Sequence, residues 1–161
     1  MEWAAGYVVD TLCSPGFYRE MAPAYAGFAA LLAGRPPAWD AGGPRSALEL
    51  GCGLGFGTAL LAAANPGCAW TGIDFNPDHI AAAESFRAAA GLANLRYGDA
   101  AFASYRPAPG SLDYAALHGV YSWIGDADAA HVRAILGEGL AVGGAAYVSY
   151  NCMPGWAPAV P

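Results

Sequence analysis

The chain has 161 residues, of which 56% are hydrophobic and 12% charged, with a formal net charge of −6. That length suits one domain with a buried core, and the composition excludes a disordered chain. With 7 basic against 13 acidic residues there is no basic patch to read a phosphate backbone, so no nucleic-acid partner is expected, and no run of about 18 strongly apolar residues suggests a membrane span.

Residues 1–20 read as irregular. The opening Met1-Glu2-Trp3 lacks the basic and apolar segments of a signal peptide. Four scattered cysteines (Cys13, Cys52, Cys68, Cys152) show no metal-ligand spacing. Both features lead us to expect a cytoplasmic protein with reduced thiols and no metal. Tyr7, Phe17 and Tyr18 either cap an edge of the core or lie over a bound ligand. From about Glu20 to Ala33 the pattern turns helical, with Tyr25, Phe28, Leu31 and Leu32 forming one apolar face. Gly34 and Pro36-Pro37 stop this helix, and residues 35–45 form a linker rich in turn residues. The expected organisation is therefore an N-terminal helical cap and linker over 1–45, followed by a single α/β unit over 46–161.

That unit opens with a strand at about 46–50, a turn containing Gly51, Gly53 and Gly55, and a helix over about 56–64. A second strand, Ala69 to Ile73, delivers Asp74 at its end. Asn76 caps the next helix with Pro77 in its first turn, and this helix runs to Ala90 with Gly91 at its stop. Leu95 to Tyr97 is a short third strand leading to Gly98-Asp99. A loop with Pro107, Pro109 and Gly110 precedes a fourth strand at Leu112 to Leu117. Asp126 is expected to cap the following helix, and Gly143-Gly144 to end it. Ala145 to Tyr150 is the fifth strand.

Strands alternating with helices predict a doubly wound, mostly parallel sheet of the Rossmann-like type. Ligands in such sheets bind beyond the carboxyl ends of the strands, at the switch point. Glu49 to Gly55, Asp74, Asp99, His118 and Asn151 all follow strand ends. His79 and His131 fall on predicted helices and are expected at the surface.

The glycine turn fits neither of two common templates. A nicotinamide fingerprint, G-x-G-x-x-G/A, fails because its third position is Phe56 counted from Gly51, or Thr58 counted from Gly53. A P-loop needs a lysine that the turn lacks. Leu48-Glu-Leu-Gly-Cys-Gly-Leu-Gly55 instead resembles the first motif of class I S-adenosylmethionine-dependent methyltransferases. Gly72-Ile-Asp-Phe-Asn-Pro77 resembles their second-strand motif, and Gly98-Asp-Ala100 their third. His118-Gly-Val-Tyr-Ser-Trp123, Ala146-Tyr-Val-Ser-Tyr-Asn151 and Pro154-Gly-Trp156 are similar to bacterial methyltransferases that carry a C-terminal methyltransferase regulatory domain. Pro15-Gly-Phe-Tyr-Arg-Glu20 extends the likeness toward the N-terminus.

The resemblance implies S-adenosylmethionine as cofactor, S-adenosylhomocysteine as product, and an unidentified small-molecule or protein acceptor. The expected cofactor contacts are Glu49, Gly51, Cys52, Gly53, Asp74, Phe75, Asp99, Ala100 and His118. Asp74 would accept from the ribose hydroxyls, Phe75 pack on adenine, and Asp99 meet the adenine amine. Glu49 would orient the glycine loop or meet the cofactor's amino group, while Gly55 serves turn geometry and helix packing. Cys52 reads as a packing residue more than a nucleophile. His118 is either a general base or a cofactor or structural contact. Tyr18, Tyr121, Trp123, Tyr150 and Asn151 are candidates for an acceptor pocket, and Arg19 for a residue closing over it.

The family's sheet ends with an antiparallel sixth and seventh strand, whereas this sequence stops soon after the fifth. We therefore expect a truncated domain whose exposed fifth-strand edge is paired in a homodimer or covered by another segment. A cofactor-binding or regulatory module without methyl transfer stays open as the alternative function.

Overall fold

The computed structural model describes residues 16–157, so Tyr7, Cys13 and Pro15 lie outside the described residues. A one-turn 3-10 helix (Arg19–Met21) leads into α1 (Pro23–Leu32). Then come β1 (Ser46–Leu50), α2 (Phe56–Ala64), β2 (Ala69–Asp74), α3 (Pro77–Ala89), β3 (Leu95–Asp99), β4 (Leu112–Leu117), α4 (Asp126–Gly139) and β5 (Leu140–Val148). The five strands form one sheet in the order β3-β2-β1-β4-β5, and every neighbouring pair is parallel. This is the Rossmann-like fold expected from the sequence. The order in which strands are added reverses between β1 and β4, which opens the switch-point crevice at their carboxyl ends.

The period of two along β1 divides the core. Ala47 joins Met21, Ala59, Leu61, Ala62, Trp70 and Tyr114 on the face covered by α1 and α2. Leu48 and Leu50 join Ile73, Leu117, Val132 and Ile135 on the face covered by α4. The N-terminal segment is tied into the first layer. Met21 is buried, and its carbonyl accepts the hydroxyl of buried Tyr114 at 2.9 Å. At the opposite end from the crevice, Asp113 accepts the Arg45 and Ser46 amides at 2.8 and 3.2 Å, holding the linker against the start of β1.

Three local expectations need correction. The apolar residues of α1 do not face the core: Tyr25, Phe28, Leu31 and Leu32 are 47–73% exposed. The side that meets the core carries the N-cap Ala22, buried Pro23 and Ala26, all small residues. Gly125, not Asp126, is the N-cap of α4, and Asp126 occupies its first turn. That helix stops at Gly139, where a Cβ would lie 2.6 Å from Pro107. Gly143 and Gly144 instead fall inside β5, at an irregularity that shifts its register on β4 between Leu112 and Tyr114. Among the described residues no helix is long and apolar enough to cross a membrane.

Candidate functional site

The crevice at the carboxyl ends of β1, β2 and β4 holds a cavity of about 390 Å³. Its floor is the turn between β1 and α2. Gly51, Gly53 and Gly55 all have positive φ, at 74°, 52° and 74°. The end of β2 fixes this turn: the Gly51 and Cys52 amides both donate to the Ile73 carbonyl at 2.8 and 3.0 Å. Gly55 is the N-cap of α2 with a left-handed backbone, and a Cβ there would lie 2.6 Å from both Ala83 and the Tyr97 hydroxyl. It thus serves turn geometry and helix packing. No side chain caps α2, and its first-turn amides face the cavity beside Phe56 and Gly57.

Two acids stand at the cavity with different electrostatics. Glu49, on β1, is 6% exposed, and its Oε2 accepts the Thr58 hydroxyl at 2.6 Å. Burial pushes its carboxyl up to about 7, with the Asp74 charge adding to the rise and the Thr58 bond opposing it. Asp74 ends β2. Its Oδ2 accepts the Gly53 amide at 2.9 Å, and its Oδ1 accepts the Asn76 amide at 2.9 Å. Asn76 in turn caps α3 by accepting the Asp78 amide at 3.0 Å. The strand end, the glycine turn and the next helix are thus joined through one carboxylate. Cys52 is buried beside these acids, and desolvation followed by their charge lifts its thiol well above the usual range, which fits a packing residue.

The far wall is built from loops. His118 follows β4 and stacks on Tyr18, with ring centroids 3.6 Å apart and planes at 24°. Its Nδ1 lies 3.1 Å from the Tyr147 hydroxyl of β5. Burial lowers its imidazole below the ordinary value, opposed in part by the Glu20 carboxylate. Trp123 reaches the same cavity, with its indole edge-on to Trp156 at 6.1 Å.

Of the residues singled out from the sequence, Glu49, Gly51, Cys52, Gly53, Asp74, Phe75, Ala100, His118, Tyr18 and Trp123 line this one cavity. Asp99 does not. It is exposed at the end of β3, opposite Asp74 in the ladder, and the chain turns Ala100 inward with its amide on the Asp74 carbonyl at 3.0 Å. Tyr121, Tyr150 and Asn151 also lie outside the lining. The Tyr121 hydroxyl takes an Arg133 hydrogen bond at 3.0 Å, Tyr150 is 64% exposed, and the Asn151 amide donates to Ser122. Phe17 is exposed, and Arg19 pairs with Glu20 at the surface.

One expectation was reversed. His79 is not a surface residue: it is 6% exposed, lines the cavity, and places Nδ1 3.2 Å from Asp74 Oδ1. A signal for this was present in the sequence. Asn76 as cap and Pro77 as first helical residue make His79 the third, the position whose side chain reaches back over the cap. Met21, Phe102, Ile124 and Asp128 add to the lining from segments that carry no motif, and Val120 adds to it from within the His118–Trp123 stretch.

Comparison with known proteins places this geometry. Residues 48–145 match the family described as "Methyltransferase domain". The uncharacterized protein sll1526 of Synechocystis sp. is 35% identical over 164 residues, an alignment spanning 100% of this chain and 32% of the relative. An uncharacterized protein of Rickettsia prowazekii is 31% identical over 68% of this chain and 20% of its own length. The solved structure of PKMT2 from Rickettsia typhi in complex with AdoHcy superposes with a TM-score of 0.79 at 26% identity, covering 90% of this chain and 28% of that one. The chain thus spans about a third or less of the length of these proteins. It belongs to the methyltransferase domain family, in its class I S-adenosylmethionine-dependent branch.

Proposed function

We propose that this chain binds S-adenosylmethionine in the crevice above β1, β2 and β4 and transfers its methyl group to an acceptor not yet identified. The observation that carries the reading is the convergence on one cavity of a three-glycine turn, a helix N-terminus without a side-chain cap, and a carboxylate at the end of β2. The likeness to PKMT2, whose structure holds AdoHcy, supports it.

The residues present fit the cofactor. Asp74 keeps acceptor capacity for a ribose hydroxyl, a charge-assisted bond. Phe75, Ala100 and Phe102 offer apolar surface to adenine, and Gly51, Cys52 and Gly53 leave room for the methionine portion beside Glu49. When bound, the cofactor supplies the activated methyl carbon. The protein's own contribution is alignment and exclusion of water. His118 and Tyr18 wall the acceptor side, and His118, whose charged form burial disfavours, is placed to take a proton where the acceptor must lose one. Asp99, on the exposed rim, would meet the adenine amine only from outside the cavity.

Within this reading, residues 46–161 form the cofactor-binding unit and residues 1–45 a cap whose Tyr18 closes one wall. Free thiols at Cys52, Cys68 and Cys152 suit a reducing, cytoplasmic setting. The side of β5 that has no partner strand among the described residues suits a homodimer. A binding module without transfer is the second reading, favoured by the position of Tyr121, Tyr150 and Asn151 outside the cavity.

Titration calorimetry with S-adenosylmethionine tests the proposal. We expect saturable binding, weakened about 10-fold or more in Asp74→Ala, since a hydrogen bond to a charged group contributes about 1.5–3 kcal/mol. Retained affinity in that variant would contradict the site assignment. Turnover of labelled cofactor against cell extract separates transfer from binding alone.

A further inference from the structure

His79 is a buried titratable side chain that the proposed reaction does not use. Its Nδ1 lies 3.2 Å from Asp74 Oδ1. The same oxygen accepts the Asn76 amide at 2.9 Å, and Oδ2 accepts the Gly53 amide at 2.9 Å. An ionised carboxylate offers about four lone-pair sites and no donor. Three of those sites are therefore engaged from inside the protein, by the glycine turn, the cap of α3 and an imidazole. In this contact Nδ1 carries the proton, because the carboxylate can only accept.

We propose that His79 is a positioning residue: it holds Asp74 so that the one remaining acceptor site of the carboxylate faces the cavity and takes a ribose hydroxyl. The inference rests on the S-adenosylmethionine reading of the cavity and narrows it. The backbone donors at Gly53 and Asn76 set where the carboxylate lies between turn and helix. The imidazole, donating from the first turn of α3, closes the site on Oδ1 that would otherwise admit water or let the carboxylate turn. His79 and Asp74 both border the cavity, so a change in one is read by ligand at the other.

The test is calorimetric titration of the full chain with two probes, S-adenosylhomocysteine and its 2′,3′-dideoxy analogue. Two variants are compared with the parent protein. His79→Asn keeps a side-chain N–H near the position of Nδ1, and His79→Leu removes it. We expect His79→Leu to weaken S-adenosylhomocysteine by about 10-fold and the dideoxy analogue by less than about 2-fold, the size expected of one charge-assisted bond. His79→Asn should bind S-adenosylhomocysteine within about 3-fold of the parent, on the same scale. Equal weakening of both probes by His79→Leu would overturn the proposal, since that is the mark of a purely structural role. Tighter binding would also overturn it, by showing that the imidazole competes for the hydroxyl's site.

If His79→Leu does not fold by circular dichroism, His79→Gln replaces it, because its amide nitrogen is displaced from the Nδ1 position. The expected result is then weaker S-adenosylhomocysteine binding in Gln than in Asn, with the dideoxy analogue unaffected. A parent protein that binds neither probe would sink the cofactor reading itself. A parent that binds, with an unchanged His79→Leu, would sink only this inference.

Discussion

Glu49 shows how a single side chain couples the site to the medium. It lies on the same strand face as core residue Ala47, and among the described residues its carboxylate has one hydrogen bond, the 2.6 Å contact from the Thr58 hydroxyl. Burial therefore dominates and lifts its carboxyl from 4.5 to about 7. Between those values the folded chain holds a proton that the unfolded chain has released. On this group's account, stability falls as pH rises from 4.5 to about 7 and levels off above. Glu49→Gln removes that dependence while keeping an acceptor for Thr58. Urea unfolding of the unliganded protein at pH 5 and pH 8 should show the stability difference shrink by about 1–3 kcal/mol in the variant. An identical pH slope in both proteins would refute the burial argument. That Glu49 and Asp74 border one crevice was legible from their places at strand ends. The place of His79 as third residue of α3 was legible from Asn76-Pro77, but its partner was not, because a helix start does not say which side chain of another element lies within reach.

At the scale of elements, the turn between β1 and α2 depends on glycine for two separate reasons at Gly55. Its φ of 74° disfavours any Cβ, and the space a Cβ would need is taken by Ala83 and Tyr97. Gly55→Ala should cost about 2–4 kcal/mol, the sum of a left-handed alanine and overpacking, and should lower cofactor affinity by tilting the first turn of α2. Thermal unfolding and titration check the two effects. Unchanged stability would mean that α3 and Tyr97 shift to make room. The start of α3 was readable as Asn-Pro, cap and first turn, and the structure keeps it. The apolar face of α1 was not. Helical periodicity identifies a stripe of large apolar residues, but only packing against the core decides that small residues, not Phe28 or Leu31, lie beneath the helix.

At the scale of the molecule, β5 pairs with β4 on one side, and the exposed Tyr25, Phe28, Leu31 and Leu32 of α1 lie in the same region, since α1 and β5 are in contact. A strand edge with no partner among the described residues, in contact with a helix that exposes apolar side chains, favours self-association. If the homodimer forms there, sedimentation velocity should give twice the 16.4 kDa chain mass. Ala146→Lys on the edge strand together with Phe28→Lys on α1 should return the monomer, with cofactor affinity unchanged because neither residue lines the cavity. A monomeric parent protein would refute the dimer.

The sequence alone determined the parallel α/β sheet, the boundaries of most elements, and the meeting of the glycine turn and Asp74 at one crevice. Those features rest on local chemistry: residue periodicity, helix caps, and backbone turns that few residues other than glycine adopt. Tertiary structure alone decided which face of α1 is buried, that the partner of His79 is Asp74, that Asp99 and Tyr150 lie outside the cavity, and that Tyr18 stacks on His118 across about 100 residues of chain. Such contacts depend on how closely separate elements approach, and no spacing along the chain encodes that distance.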